Sequence, residues 1–170
     1  MCEEDYRWGR QVACRAALAV GLSIASLGAS AAPITYNSYR TVGTGSAVIS
    51  VTTDGTTGIL SQGSILDWRI TVNNAGDIFT LTGPKSGGNS GLGLVGNGLT
   101  ATATGLNFNF DLATAGYAYA LFQRSFPGSS ETFYCVDTLG CGGRGESLLA
   151  ARNLFSGNVT NSTRTGTQII

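Results

Sequence analysis

The amino-acid sequence predicts an all-β fold, an antiparallel β-sandwich of jelly-roll-like character, preceded by a helical signal peptide. Three observations predict it. Apolar and polar residues alternate with period two over several short runs. Gly, Ser and Asn clusters separate those runs at close, regular spacing. Ser and Thr abound, Lys occurs once, and Gly numbers 25, a balance that favours strands and turns over helices. No short repeat of the kind a parallel β-helix requires is visible.

The first segment to justify is the leader. Arg7, Arg10 and Arg15 form a basic region, followed by an uncharged, largely apolar stretch from Ala16 to Ala31. Ala29-Ser30-Ala31 is a small-x-small cleavage pattern, with Pro33 just beyond. The stretch is rich in Ala, Gly and Ser and short for a membrane span of about 20 residues. The acidic opening "MCEED" is unusual for a leader. The expectation is a signal peptide over 1–31, cleaved between Ala31 and Ala32, and a single β-sandwich domain over 32–170. Cleavage removes three acids and three bases, so the mature chain stays neutral. A domain of this size buries about two thirds of its unfolded surface.

The strands follow in order. "SAVISVTT" places Ala47, Ile49 and Val51 on one face and ends at the Asp54-Gly55 turn. "ILDWRITVN" sets Leu66, Trp68, Ile70 and Val72 against Asp67, Arg69, Thr71 and Asn73. "NAGD" carries turn chemistry, and "IFTLT" returns with Phe79 and Leu81 on one face, predicting a hairpin with a loop of about four residues. "LTATAT" and "LNFNFD" predict two more strands, the second with Leu106, Phe108 and Phe110 inward. "YAYALFQ" and "TFYCVD" add two aromatic-rich strands, and the polar C-terminus ends in a β-prone stretch. The single helical signal is "GESLLAARNLF", where Leu148, Leu149, Ala151 and Arg152 could make one or two turns.

"SGLGLVGNGL" matches GxGxxG at Gly91, Gly93 and Gly96. A dinucleotide loop needs a strand before it and a helix after it, so that the phosphate meets a helix N-terminus. Here a polar loop precedes and a Thr-rich alternating stretch follows. The expectation is a flexible inter-strand loop with no nucleotide.

Composition restricts the chemistry further. Charged residues are 12% and the formal net charge is zero, so nothing draws nucleic acid or an anionic membrane. The absence of His removes the commonest general base and the commonest metal ligand. No G-x-S-x-G elbow is present. The mature carboxylates Asp54, Asp67, Asp77, Asp111, Glu131, Asp137 and Glu146 are read as turn and surface groups, because a glycosidase pair needs a geometry that spacing alone does not reveal. No catalytic, cofactor-binding or metal-binding residue is assigned. Among the aromatics, Trp68, Tyr117, Tyr119 and Tyr134 are candidates for stacking on sugar rings, with burial in the core the default. Of these only Tyr117 and Tyr119 are kept, as a weak sugar-stacking pair. Asn158 and Asn161 begin N-x-Ser/Thr sequons, which matter only in a host that glycosylates them. Cys2 and Cys14 leave with the leader, and the remaining Cys135 and Cys141 are expected to form a disulfide in an oxidising compartment.

"VTTDGTTGILSQGSILDWRITV", "GGNSGLGLVGNGLTATATGLNFNFD", "YALFQ" and "YCVDTLGCGG" together resemble the mature region of bacterial PEP-CTERM sorting-domain proteins. The resemblance covers roughly half of the mature chain and carries no catalytic residues. It implies export by an exopolysaccharide-producing, biofilm-forming bacterium. The family closes with Val-Pro-Glu-Pro, an apolar helix and a basic cluster, whereas this sequence stops at "RTGTQII". The expectation is therefore a periplasmic, cell-surface or extracellular protein, without enzymatic activity, associated with extracellular polysaccharide. A carbohydrate-binding module is the alternative, and a secreted hydrolase the third reading. Contact with a membrane is expected only through an uncleaved leader or a C-terminal tail.

Overall fold

A computed structural model describes residues 31–111, 117–124, 132–139, 141, 143–151 and 159–170. The expected leader and its helix therefore lie outside the described residues, except for Ala31, which is exposed together with Ala32 and Pro33.

The described chain is antiparallel β-structure without an α-helix. The first sheet runs β1 (Ile34–Val42), β2 (Gly45–Thr53), β4 (Ile65–Asn74) and β5 (Asp77–Thr82), in that spatial order. The second runs β12 (Thr160–Thr163), β11 (Gly145–Leu149), β10 (Phe133–Asp137), β9 (Tyr119–Arg124) and β6 (Ser90–Val95). A smaller third sheet joins β13 (Thr167–Ile169), β8 (Leu106–Asn109), β7 (Leu99–Ala101) and the two-residue β3 (Gly58–Ile59). A 3₁₀ turn, Gln62–Ser64, leads into β4.

The first two sheets pack face to face, with β2 and β4 against β10 and β11. The alternation read from the sequence generates this core. Ala47, Ile49 and Val51 from β2 and Trp68, Ile70 and Val72 from β4 are all buried. They meet Ala120, Phe122, Tyr134, Val136 and Leu148 from the second sheet. The Trp68 ring contacts Phe122 edge-on at 5.6 Å, and its indole N–H donates to Ser90 Oγ at 2.8 Å, so burial leaves no orphan donor. The third sheet adds Leu99, Leu106, Phe108 and Phe110.

Four expectations are corrected. The Gly-rich stretch is an edge strand for residues 90–95 rather than a loop, and it pairs with β9 from Ser90↔Arg124 to Val95↔Tyr119. Its alternation is Leu inward and Gly outward: Leu92 and Leu94 pack on the core. Gly93 lies beneath a ring, since a Cβ there would sit 3.3 Å from Tyr119 Cε2. The stretch 145–149 is a strand, not a helix, because β10 and β12 pair with it on both sides and override the local pattern. The "LTATAT" strand stops at Ala101, where Thr102 and Gly105 close a tight turn through Thr102 N–H to Gly105 C=O at 2.8 Å. The β4–β5 hairpin has a two-residue turn, Ala75-Gly76, between paired Asn74 and Asp77. Both turn residues have positive φ, 53° and 89°, the type I′ geometry that matches strand twist.

Candidate functional site

Three clusters of polar or aromatic side chains stand out. The first lies where the three sheets converge. Glu146 on β11 points inward, and its side chain is wholly buried. Gly145 makes this possible: its φ is 136°, and a Cβ there would lie 2.0 Å from the Ser162 carbonyl, so a side chain would push β12 away. Arg40 of β1 reaches across the sandwich and donates from Nε to Glu146 Oε1 at 2.6 Å. Arg164, in the connection from β12 to β13, donates from Nε to Oε2 at 2.9 Å. The buried Tyr134 hydroxyl adds a bond to Oε1 at 3.1 Å. The arginines also hold main-chain carbonyls, Arg40 that of Ile169 and Arg164 that of Thr41. A carboxylate so enclosed is a structural clasp joining all three sheets, and no reactant reaches it. Burial, with the Glu146 carboxylate adding to it, pushes the Tyr134 phenol well above its ordinary range.

The second cluster lies on the outward face of the second sheet. Tyr117 and Tyr119 project there, with ring centroids 5.1 Å apart and planes tilted by 57°. Tyr117 is 45% exposed, while Tyr119 is half-buried against the cluster of Phe133, Cys135 and Leu149, so the pair lies at the edge of a small outer core. Partial burial holds the Tyr117 phenol above its ordinary value, with smaller contributions from Tyr119 and the Asp137 carboxylate. Beneath them Cys135 and Cys141 form the expected disulfide, with Cα atoms 6.2 Å apart. The Asp137 carboxylate accepts the Cys141 N–H. Cys135, Asp137 and Cys141 place their ligating atoms within 4.8 Å of one another, but oxidation to the disulfide withdraws both thiolates. The other two aromatic candidates, Trp68 and Tyr134, are core residues.

The third cluster, which sequence reasoning missed, is the outward face of the first sheet. Register aligns Tyr39, Val48, Thr71 and Thr80 in one row across all four strands. Tyr39 is 66% and Val48 55% exposed. Around them lie the outward residues Asn37, Thr41, Ser46, Ser50 and Asn73. Hydroxyl ladders knit the face, Thr35 with Thr52 at 2.8 Å and Thr71 with Thr80 at 2.9 Å. Among the described residues, Asp67 and Arg69 are its only charged ones. Asp67 is occupied by the Lys85 N–H and the Ser86 hydroxyl, while Arg69 is exposed.

Among the described residues, the other carboxylates have structural partners. Asp54 accepts the Thr56 N–H at 2.8 Å in a local turn, which holds its carboxyl below the usual range. Asp111 accepts the Gly166 N–H at 2.8 Å and faces Arg144 at 3.7 Å. Asp77 opens β5 directly after the turn. Glu131, Arg152 and Asn158 lie outside the described residues. Asn161 is exposed on the edge strand β12. A cleft of about 120 Å³ separates the start of β1 from the β7–β8 turn and the C-terminus, smaller than the roughly 300 Å³ at which ligand pockets begin. Comparison of the chain with known protein families, with curated proteins and with solved structures finds no match.

Proposed function

We propose that this is an exported protein of the cell surface or extracellular matrix, without enzymatic activity, associated with exopolysaccharide and akin to the mature region of PEP-CTERM proteins. The observation that supports the non-enzymatic part is the employment of the described carboxylates. Asp54, Asp67, Asp111 and Asp137 each accept a main-chain N–H, and Glu146 is sealed between two arginines. Acid–base chemistry needs a carboxyl within reach of substrate, and hydrolysis of a glycoside needs two across a cleft. Export is supported by the leader anatomy and by the disulfide, a bond that persists in oxidising compartments. β1 begins at Ile34, just after the expected cleavage point, so processing there leaves the sandwich whole.

A second reading, a carbohydrate-binding module, is favoured by the exposed tyrosines of the two outward faces. Fractionation of the producing cell with an antibody to the chain tests the main proposal. Recovery from the periplasm, surface or medium is expected. Recovery from the soluble cytosol would overturn it.

A further inference from the structure

We infer that the outward face of the first sheet, centred on Tyr39, is a binding surface for an uncharged polysaccharide. The inference rests on the proposed surface function and gives it a ligand class and a site.

Four features of the face argue for that occupant. First, its polar groups are hydroxyls and amides. Asn37, Ser50, Thr71 and their neighbours offer both donors and acceptors, matching a polymer whose every residue carries hydroxyls. Second, the face carries almost no field. Asp67 and Arg69 cancel formally, and the Asp67 carboxylate already serves the 83–89 connection. A charged polymer would gain little here, because the two charges offset each other, whereas a neutral one has to accommodate only the exposed Arg69 guanidinium. The exposed Arg69 guanidinium remains a fork of donors for vicinal hydroxyls.

Third, Tyr39 and Val48 are direct cross-strand neighbours and together form an apolar spot on the face, with the exposed Ile78 in the next row toward β5. An apolar spot within a hydroxyl field suits the CH face of a pyranose, whose rim is polar. Fourth, the rows run across the strands. Three strand-to-strand steps at about 4.8 Å span about 14 Å from β1 to β5. Each step is comparable to the repeat of an extended pyranose chain, so a polymer lying along the row meets a new strand with successive sugars. The Tyr117–Tyr119 pair is a poorer platform, because its rings are tilted by 57° and present no common plane.

The test is affinity electrophoresis of the full chain in native gels containing hydroxyethylcellulose or dextran, both neutral, or alginate, a polyuronate. Retardation by a neutral polymer is expected, unchanged on adding salt. Tyr39→Ala should weaken it by about tenfold. Tyr39→Phe, which keeps the ring, should stay within about twofold. Val48→Lys, beside the ring, should weaken it as well, and Tyr117→Ala should leave it unchanged. Circular dichroism and melting temperature establish that each variant is folded. Wild-type binding in folded Tyr39→Ala, loss in Tyr117→Ala alone, or retardation by alginate alone that fades with salt would overturn the inference. Failure to bind either neutral polymer would also overturn it, yet leave the surface reading standing if the chain is found outside the cytoplasm.

Discussion

Glu146→Gln tests the physics of the clasp. The substitution keeps the shape of the side chain and removes its charge, leaving Arg40 and Arg164 facing a neutral amide. Removing one partner of a buried ion pair typically costs about 3–5 kcal/mol, because the remaining charge stays desolvated. The arginine side chains are 17% and 25% exposed and retain carbonyl acceptors, so part of their charge stays solvated. The lower end of that range, about 3 kcal/mol, is therefore expected. For a domain of the 139 residues expected after cleavage that corresponds to a fall in Tm of about 10 °C. Thermal unfolding followed by circular dichroism, with urea unfolding as a cross-check, reads it directly. Arg144→Ala is the control, since its contact with Asp111 is exposed and 3.7 Å long and should contribute less than about 1 kcal/mol. A Glu146→Gln protein melting within about 2 °C of wild type would refute the argument, because it would mean the buried charges contribute no more than exposed ones.

Three further outcomes follow from the same geometry. Removing the disulfide with paired Cys135→Ser and Cys141→Ser changes should cost about 2 kcal/mol, because the closed loop is short; urea midpoints measure it, and a loss above about 4 kcal/mol would contradict that origin. Ala75→Asn should stabilise the hairpin by about 0.5–1 kcal/mol, since Ala at φ 53° is strained where Asn is at ease; a lower Tm would contradict it. Tyr134 has its phenol raised above the unfolded value of 10.0. Above pH 10 the unfolded chain releases a proton that the folded one keeps, so stability falls as pH rises. Tyr134→Phe should lose about 1 kcal/mol at neutral pH through the missing bond to Glu146, and flatten that alkaline decline. An unchanged slope in urea titrations above pH 10 would count against it.

The fold was legible where one face of a strand meets the core and the other meets water. In β4, Trp68, Ile70 and Val72 alternate with Arg69 and Thr71, so period two is visible. The pattern fails where that condition fails. β11 is buried on both faces, so its apolar residues run together and mimic a short helix. β6 alternates Leu with Gly, and a residue without a side chain reads as a loop until Tyr119 is seen covering it. β1 hides its alternation by turning Ser38 and Arg40 inward. The same departure hid both sites on that strand: Arg40 looks like a surface charge until Glu146 is opposite, and Tyr39 is found only once the register places it beside Val48. The disulfide was legible from the spacing of two cysteines in a chain expected to carry a leader. The Tyr117–Tyr119 face was legible as a pair, but not its exposure, which depends on which side of β9 meets the core.

Export is the claim on which the functional account stands, and the N-terminus of the protein recovered outside the cytoplasm tests it most directly. Sequencing that terminus, with an intact mass, should show a chain beginning at Ala32 and carrying the Cys135–Cys141 disulfide. A chain retaining Met1 and found only in the cytosol would contradict the account.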